Sequence, residues 1–597
     1  MDKPQSTRRR KARRRVMALL VLCCAVFALF LARLAWLQFA MADHYAQKMA
    51  EASSASYTLP QHAARGAITD RGGTVLAQDE TVYDVYLRVP APPGTKLRET
   101  VNTIAALTGG KDVETQLAAF CSAVSAGELP VTQGLDSIGA AAYYRAGLVQ
   151  SGAVRLAARG VRRWPDGTIL PHTLGFTGPV TAEQWPAARA QGLAMDATIG
   201  QNGLEAAYDT LLRGRGGQLQ INVGLDGVTR ETMQTSTPVP GCTLVLTLDA
   251  DLQKILQTAL QNQMDTLRTT KGIGAGREVR AGAAVVVDVR TGGILAAASL
   301  PDFDLSRYRS DYAALSADSA APLLDRVCQG LYAPGSAFKP AVAAAALTAG
   351  IDPAATVNCT GKYFYYSNYH PGCLQYGHRG PVDLRTALEY SCNIFFYDTG
   401  RRLGVDTFSA MARQLGLAND TGVEITAAQG RLTWSTDTNY QDGLTLMAAI
   451  GQGNTAVTPL QLAQYAATLA NYGRKPTLHF ADRAVQPATG ASVWQYEPAF
   501  TEIPGGEAVF GPIRDGMKRM AQTARALREA PVTVAAKTGS PQLADTLPGG
   551  SHYVNSVLIG YAPADDPQIA MAVVLEYGGG GANAAPVMRA VLDAWFE

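Results

Sequence analysis

The chain contains 597 residues, too many for one hydrophobic core, so at least two folded domains are expected. Its 52 basic and 50 acidic residues almost balance, and this balance gives no reason to expect a nucleic acid as a partner. Apolar residues account for 47% of the sequence and aromatic residues for 8%, as in ordinary globular proteins.

The first segment of the chain pairs a basic tail with an apolar run. Residues 1–15 are rich in lysine and arginine, and the run that follows carries no charge before Arg33. Together with the aromatic residues Trp36 and Phe39, this pattern predicts one transmembrane helix at 16–39, with the tail in the cytoplasm and all later residues outside. The chain is therefore expected to be a single-pass protein of the cell membrane.

Two other interpretations of this segment stay open. A cleaved signal peptide would use Ala40-Met41-Ala42 as its cleavage site, and a basic arm that binds DNA would use the tail alone. We favour the retained helix because the apolar region is longer than the core of a usual signal peptide and includes an arginine.

The remaining sequence divides near residue 240. Before this point, residues 65–77 predict a strand, an Asp/Gly turn and a second strand. After it, a helix is predicted at 251–267 and a hairpin at 282–296. Apolar strands that alternate with Ala-rich helices over 241–597 predict an α/β domain in which an antiparallel sheet is flanked by helices.

A serine and a lysine open one of these Ala-rich helices. Ser336 follows a Pro-Gly turn, and Lys339 is three positions later, so both side chains are expected on one face of the first helical turn. A serine hydroxyl becomes a good nucleophile when a neighbouring base takes its proton, and a lysine with a lowered pKa can be that base. The alternative is that Ser336 caps the helix and Lys339 is a solvated surface residue.

Cys359 and Cys373 bracket an insertion rich in tyrosine and glycine. Free thiols or a disulfide are the first interpretation, because a disulfide is allowed outside the cell. A metal site that recruits His370 and His378 is a distant second, since the paired spacing of a zinc site is missing. We therefore expect no metal and no cofactor.

Two further short strings stand in order after Ser336. Ser391-Cys392-Asn393 is the only Ser-x-Asn string in the chain, and Lys537-Thr538-Gly539 is the only Lys-Thr-Gly string. Taken with Ser336 and Lys339, their order and separation resemble the three motifs of penicillin-binding proteins and serine β-lactamases. The segment from Arg65 to Ala77 is similar to the start of the extracytoplasmic pedestal in class B penicillin-binding proteins. We use the name pedestal for residues 40–240.

The resemblance implies a role for each residue of the three motifs. Ser336 attacks the penultimate D-alanine carbonyl of a peptidoglycan stem peptide, and Lys339 takes its proton. Ser391 relays a proton to the leaving amine, and Asn393 orients Lys339 and the substrate amide. Lys537 lowers the pKa values of its neighbours.

Residues around the last motif are assigned to substrate binding. Thr538 binds the substrate carboxylate, and Gly539 lets the backbone approach closely. The N–H groups of Ser540 and Ser336 form the oxyanion hole. Ser540 replaces the usual threonine, and Pro541 removes one N–H from the strand at the edge of the cleft, which is tolerable only if that position faces solvent.

The family assignment also implies a fold, an activity and partners. The fold is a penicillin-binding α/β transpeptidase domain at 241–597, preceded by an extended α+β pedestal and one transmembrane helix. The activity is D,D-transpeptidation that cross-links peptidoglycan through a serine acyl-enzyme, with β-lactams as covalent inhibitors. No glycosyltransferase domain is recognisable before residue 240, so the expected partner is a polytopic glycosyltransferase of the shape, elongation, division and sporulation family.

Two rival functions stay open. The first is a hydrolase, either a carboxypeptidase or a β-lactamase, in which water attacks the acyl-enzyme. Glu424 is the candidate for its deacylating base, although it lies in a segment, 422–425, that resembles a structural turn and strand. The second is a binding protein with an idle active site, either a scaffold of division or elongation or a sensor of β-lactams.

Overall fold

We describe the fold from a computed structural model of the chain. The structure describes residues 5–597 except 52, 62, 90–94, 109–112, 124–126, 194, 196, 225–228, 273, 374–377 and 549. Up to residue 239, the helices and strands are α1 (Gln5–Ala35), α2 (Ala42–Glu51), β1 (Ser53–Gln61), β2 (Ile68–Thr69), β3 (Val75–Val89), α3 (Thr95–Leu107), α4 (Val113–Ala123), β4 (Gly127–Leu135), α5 (Ser137–Arg145), β5 (Val154–Arg163), α6 (Pro171–Leu174), β6 (Thr177–Pro179), α7 (Trp185–Ala190), β7 (Thr198–Gly200), α8 (Gly203–Ala207), α9 (Asp209–Leu212), β8 (Gly217–Gly224) and β9 (Thr229–Ser236).

After residue 240, the elements are β10 (Thr243–Leu246), α10 (Ala250–Arg268), β11 (Gly282–Asp288), β12 (Ile294–Leu300), α11 (Tyr308–Ala317), α12 (Lys339–Thr348), β13 (Val357–Cys359), β14 (Gly380–Val382), α13 (Leu384–Glu389), α14 (Asn393–Leu403), α15 (Val405–Gln414), α16 (Asp442–Ala449), α17 (Pro459–Ala470), β15 (Arg474–Pro476), β16 (Ala481–Val485), β17 (Ser492–Gln495), β18 (Phe500–Glu502), α18 (Gly506–Thr523), α19 (Arg525–Arg528), β19 (Ala535–Gly539), β20 (Gln542–Thr546), β21 (His552–Val554), β22 (Ser556–Ala562), β23 (Ile569–Leu575) and α20 (Ala585–Phe596).

The chain divides into two compact units. The first combines the residues up to Ala63 with Arg215–Val239, and the second combines Ala64–Gly214 with Pro240–Glu597. In the first unit, β1, β8 and β9 form an antiparallel sheet. The stretch Arg10–Ala40 is long and apolar enough to cross a membrane, as expected for the predicted transmembrane helix. The limits of the tail, the helix, the pedestal and the transpeptidase domain stay predictions.

A five-stranded antiparallel sheet forms the centre of the second unit. Its strand order is β12-β11-β23-β22-β19, which confirms the predicted antiparallel sheet and the predicted hairpin of β11 and β12. Alternate residues of β11 enter two different hydrophobic cores: Val285 and Val287 face one core, and Ala284 and Val286 face the other. The apolar sequence of β11 has no polar alternation because both of its faces are covered.

Helices cover both faces of this sheet. Helices α10 and α20 supply the core on one face, and α12 and α17 belong to the core on the other. Residues 341–346 of α12 are completely buried, and their small side chains let neighbouring elements approach closely. Strand β19, which carries Lys537, lies at the edge of the sheet, so its outer side is free to line a cleft.

A second sheet combines strands from both sides of residue 240. Its order is β17-β16-β10-β2-β3-β4, with β5 also paired to β3. Strand β10 pairs in parallel with β2 and antiparallel with β16. Backbone hydrogen bonds therefore cross the predicted domain limit at 240.

Candidate active site

Ser336 lies on a short 3₁₀ turn, Gly335–Phe338, that leads directly into α12. Lys339 is the first residue of α12, so the serine precedes the α-helix rather than lying in its first turn as predicted. Gly335 has φ of +55°, a conformation that glycine adopts without strain, and its N–H donates to the carbonyl of Gly451 over 2.9 Å. This bond fixes the turn that presents Ser336, which is partly exposed.

Lys339 is completely buried, so it is not a solvated surface residue. Its ammonium Nζ donates to the backbone carbonyl of Ser391 over 2.7 Å, to Asn393 Oδ1 over 2.7 Å and to Ser391 Oγ over 3.1 Å. The first two motifs are thus in direct contact. Within the part of the chain described, the Ser336 hydroxyl forms no hydrogen bond, and proton transfer to Lys339 needs the contact to shorten when substrate binds.

Lys537 brings the third motif to the same point. Its Nζ donates to Ser391 Oγ over 3.1 Å and to the carbonyl of Thr538 over 3.1 Å, and its side chain is completely buried. The hydroxyl of Ser391 therefore lies between two lysine ammonium groups. This arrangement can carry a proton between the three side chains.

Burial has a large effect on both lysines. It lowers the pKa of Lys339 to about 7, although the neighbouring thiols of Cys392 and Cys373 oppose this shift. Burial also lowers the pKa of Lys537 well below its ordinary value, and the positive charge of Lys339 lowers it further. A lysine that is neutral near pH 7 can accept a proton from a serine hydroxyl.

The Ser-x-Asn motif forms a strained connection between α13 and α14. Ser391 has φ of +57°, in the left-handed region that residues other than glycine rarely adopt. Asn393 begins α14, and its Nδ2 donates to the carbonyl of Gly372 over 3.2 Å. The sequence did not indicate the part played by Gly372 or Gly451, because backbone carbonyls leave no signal in residue type.

Gly539 permits close contact between β19 and the serine turn. A Cβ atom at this position would lie 2.3 Å from the carbonyl oxygen of Pro334, so the predicted close backbone approach is present. This contact brings Ser540 beside the turn of Ser336. Ser540 Oγ accepts a hydrogen bond from Gly581 N over 2.8 Å, and Thr538 is partly exposed.

The expectation for Pro541 was wrong in its physical reason. Pro541 is buried rather than solvent-facing, but it lies after β19 ends at Gly539. It packs against Gly335, whose added Cβ would lie 3.0 Å from the proline nitrogen. Because the position is outside the strand, the missing N–H costs no strand hydrogen bond.

Glu424 is held away from the three motifs by its own hydrogen bonds. Its carboxylate accepts from the backbone N–H groups of Phe480 and Ala481 and from the hydroxyl of Tyr208. The segment around it is a loop without a strand, so the expected strand at 422–425 is absent from these described residues. These contacts give Glu424 a structural role.

A cluster of possible metal ligands lies directly beside the Ser-x-Asn motif. Cys359, Cys373, His378 and Cys392 are buried, and one donor atom from each lies within 4.8 Å of all the others. His370, named with His378 in the sequence interpretation, is exposed and packs against Phe364 instead. The cysteines are free thiols, and this set of three sulfur atoms and one imidazole suits tetrahedral Zn²⁺.

Comparisons with known proteins agree with this geometry. A family model described as the penicillin binding protein transpeptidase domain matches residues 282–593, and one described as the penicillin-binding protein dimerisation domain matches residues 60–246. The chain is 28% identical to the peptidoglycan D,D-transpeptidase MrdA of Acinetobacter baumannii over 605 residues, which cover 97% of this chain and 86% of that protein. It is 27% identical to MrdA of Escherichia coli over 580 residues, covering 90% and 87%.

Two solved structures share the fold over almost the whole chain. One is a chain of a peptidoglycan synthase complex that coordinates polymerization and crosslinking, with a TM-score of 0.74, 29% identity and 98% coverage of both chains. The other is the penicillin-binding protein PBP2 in complex with MreC from Helicobacter pylori, with a TM-score of 0.75, 23% identity and coverage of 91% of this chain and 99% of that one. Because the transpeptidase model matches more than half of the sequence and the dimerisation model precedes it, the chain belongs to the penicillin-binding protein transpeptidase family, as a class B member.

Proposed function

We propose that this chain is a peptidoglycan D,D-transpeptidase that works through an acyl-enzyme on Ser336. One observation carries the proposal: the hydroxyl of Ser391 lies 3.1 Å from the ammonium groups of both Lys339 and Lys537, and Lys339 is three positions after Ser336. A nucleophile, a buried lysine base and a hydroxyl that relays protons are the groups that serine acyl transfer needs. The names of the MrdA relatives support peptidoglycan as the substrate.

The first half of the reaction forms the acyl-enzyme. Ser336 Oγ attacks the carbonyl carbon of the penultimate D-alanine, and Lys339, neutral at its lowered pKa of about 7, takes the hydroxyl proton. The N–H groups of Ser336 and Ser540 stabilise the oxyanion of the tetrahedral intermediate. Ser391 passes a proton to the leaving amine, and terminal D-alanine departs as the ester forms.

The second half transfers the acyl group. An amine from a second stem peptide attacks the ester carbonyl, loses its proton through the same lysine and serine, and releases Ser336 with a new amide bond. Asn393 keeps Lys339 in place through the 2.7 Å hydrogen bond from Nζ. Thr538 and Lys537 on the edge strand bind the carboxylate of the donor stem.

The contacts of Glu424 disfavour the hydrolase. A deacylating carboxylate must be able to activate water at the ester, but this carboxylate is occupied by two backbone N–H groups and the Tyr208 hydroxyl. Tyr208, Phe480 and Ala481 belong to none of the three motifs. No other observation favours the scaffold function, because all three motifs meet at one point.

Acylation by a fluorescent penicillin tests the nucleophile. The full-length chain in detergent should form a stable one-to-one adduct that intact-mass spectrometry detects, and Ser336→Ala should abolish it. Ser316→Ala is the matched control, because Ser316 is an exposed serine whose hydroxyl only bonds the carbonyl of Ala313. A wild-type chain that is folded but forms no adduct would contradict the proposed function.

The acceptor is tested with polymerised glycan strands that carry pentapeptide stems. A transpeptidase releases one D-alanine for each cross-linked dimer that forms. A carboxypeptidase releases D-alanine and leaves tetrapeptides without cross-links. Chromatography of digested product therefore separates the two activities, and a predominance of tetrapeptide would reassign the chain to the hydrolases.

We also propose that the tail is cytoplasmic, that the catalytic domain is outside the membrane, and that a polytopic glycosyltransferase of the shape, elongation, division and sporulation family is the partner. The apolar stretch Arg10–Ala40 and the similarity to a chain of a peptidoglycan synthase complex support this arrangement. Reporter fusions at each end of the chain test the topology. Co-purification of the glycosyltransferase with the full chain, compared with a chain whose residues 16–39 are replaced by an unrelated span, tests the partner.

A further inference from the structure

The cluster of Cys359, Cys373, His378 and Cys392 has the composition and spacing of a zinc site. In a tetrahedral site, Zn²⁺ lies about 2.3 Å from sulfur and about 2.0 Å from imidazole nitrogen, which places neighbouring donors about 3.5 to 3.8 Å apart. Cys373 Sγ and His378 Nε2 are 3.7 Å apart, and all four donors lie within 4.8 Å of one another. A small contraction of the cluster around one ion is therefore sufficient.

The surroundings of the cluster favour thiolate ligands. The guanidinium of Arg379 donates to Cys359 Sγ over 3.5 Å, which stabilises negative charge on that sulfur. The four side chains are at most 8% exposed, so the site excludes bulk water and leaves no open coordination position for substrate. A closed set of four protein ligands is typical of a structural zinc site rather than a catalytic one.

Two of the four ligands adjoin the groups that hold Lys339. Cys392 lies between Ser391 and Asn393 in the sequence, and its N–H donates to the carbonyl of Ala387. Cys373 follows Gly372, whose carbonyl accepts the 3.2 Å hydrogen bond from Asn393 Nδ2. A metal bound to both cysteines thus ties together the two segments that orient Asn393 and the strained Ser391.

The same two cysteines are the pair best placed for oxidation. Their thiols are hydrogen-bonded to each other, and thiolates are the oxidisable members of a zinc site. We propose that the four residues bind one Zn²⁺ that fixes Ser391 and Asn393, and that oxidation of Cys373 and Cys392 to a disulfide releases the ion and slows acylation of Ser336. The part that concerns acylation rests on the proposed function.

Hydrogen peroxide, a molecule little larger than water, is the oxidant. One thiolate attacks a peroxide oxygen, which gives a sulfenic acid and hydroxide. The second thiolate attacks the sulfenic sulfur, forms the disulfide and displaces a second hydroxide. The two sulfurs lose two electrons to peroxide and both bonds to zinc break, so Cys359 and His378 alone remain as ligands.

Metal content tests the first part of the proposal. The full-length wild type, incubated with equimolar Zn²⁺ and desalted, should retain one zinc per chain by plasma mass spectrometry, and His378→Ala should retain almost none. Cys328→Ala is the matched control, since Cys328 is also fully buried but lies outside the cluster, and it should retain the wild-type amount. Equal zinc content in wild type and His378→Ala would overturn the proposal.

Peroxide treatment tests the second part. Zinc release followed with a chromogenic chelator should coincide with a Cys373–Cys392 disulfide in peptide mass spectra. The rate constant of the acylation step should fall by about tenfold, while the dissociation constant of the initial penicillin complex changes little. Dithiothreitol with Zn²⁺ should restore the rate. Release of zinc with an unchanged acylation rate would overturn the coupling.

A double variant separates oxidation from loss of folding. Cys359→Asp/Cys373→Asp keeps four possible zinc ligands but cannot form the disulfide, because carboxylates bind zinc and resist oxidation. It should retain zinc, and peroxide should leave its acylation rate unchanged. A peroxide effect equal to that of the wild type would overturn the proposed disulfide.

Hydrogen exchange decides the proposal even if the chain is not acylated at all. Residues 384–403 contain Ser391, Cys392 and Asn393, and release of zinc should lower their protection. Unchanged protection would overturn the metal's role in fixing this segment. A failure of acylation in zinc-loaded wild type would instead contradict the proposed function alone.

Discussion

The second compact unit buries charge in two places, which differ in how the charge is balanced. In the pedestal, Arg65 and Arg162 share the buried carboxylate of Glu205, each at 2.6 Å. Asp209 accepts a further bond from Arg65 at 2.6 Å, and Asp79 lies 3.3 Å from Arg162. Burial alone would lower the pKa of Arg65, but Glu205 and Asp209 raise it above its ordinary value.

The cleft lacks this balance. Lys339 and Lys537 are both fully buried, and every hydrogen-bond acceptor that they have among the described residues is a neutral oxygen. Their pKa values fall, whereas that of Arg65 rises. Matched charge fixes the position of secondary structure elements, while unmatched charge creates a base and therefore marks the site of chemistry.

Lys339→Met should break the unbalanced site with the largest effect on activity. Removal of the general base should slow acylation by penicillin about 10³-fold. The free energy of unfolding should stay the same or rise, because the variant buries an apolar side chain of similar length in place of a lysine without a carboxylate partner. Stopped-flow fluorescence and thermal unfolding measure the two quantities.

Lys518→Met is the control for this change. Lys518 is exposed and pairs with Asp565 on the surface, so its replacement should alter neither quantity noticeably. A large loss of stability in Lys339→Met, comparable with that of a core cavity, would mean that the lysine is structural and would contradict the comparison.

Glu205→Gln should have the opposite signature. The change leaves two guanidinium groups buried without their shared carboxylate, and we expect a loss of about 3–5 kcal/mol in the free energy of unfolding. Molecules that remain folded should be acylated at the normal rate. Glu80→Gln, which breaks an exposed ion pair with Arg163, should cost less than about 1 kcal/mol in the same denaturant titration. Similar losses for the two variants would contradict the idea of a matched buried network.

The central sheet was predictable from sequence because its signals are local. Strands β11 and β12 are short apolar runs joined by a tight turn, and antiparallel pairing follows directly from that connection. The second sheet was not predictable, because β10 pairs with β2 and β16, which are far away in the sequence. Only tertiary packing selects such partners.

The same contrast applies to the site. Ser336 and Lys339 are three positions apart, so helical geometry alone predicts their proximity, and the family resemblance indicated Ser391 and Lys537. The cluster around Cys392 was missed because its ligands come from separate segments and lack the paired spacing of a zinc finger. The solvent-facing prediction for Pro541 failed because sequence does not reveal where β19 ends.

Gly539→Ala should disturb the contact between the edge strand and the serine turn. The new methyl group would meet the carbonyl oxygen of Pro334 at 2.3 Å, so the strand must shift away from Ser336. We expect acylation to slow by about 10²-fold, because displacement of an oxyanion-hole donor has effects of this size. The pKa of Lys339, read from the pH profile of the residual rate, should stay near 7.

Gly580→Ala is the matched control for this glycine. A Cβ atom at Gly580 meets no atom within 4 Å, and its φ of −61° suits any residue. Its acylation rate should therefore remain within about twofold of the wild type, as for surface substitutions generally. Equal effects of the two alanines would show that the close approach at Gly539 is unimportant.

The pH dependence sharpens the comparison with the smallest effect. With a folded pKa of about 7, Lys339 is increasingly protonated as pH falls, so acylation should level off above pH 8 and decline about tenfold per unit below pH 6. The unfolded chain keeps the lysine proton up to its ordinary pKa of 10.5 and thus binds more protons than the folded chain between pH 7 and 10.5. Stability should therefore gain from rising pH in this window, and Lys339→Met should lose that gain. Unfolding titrations of both proteins at pH 7 and pH 9 measure the difference. Identical pH dependence in the two would mean that Lys339 keeps its proton in the fold, and the cleft would then not differ from the pedestal.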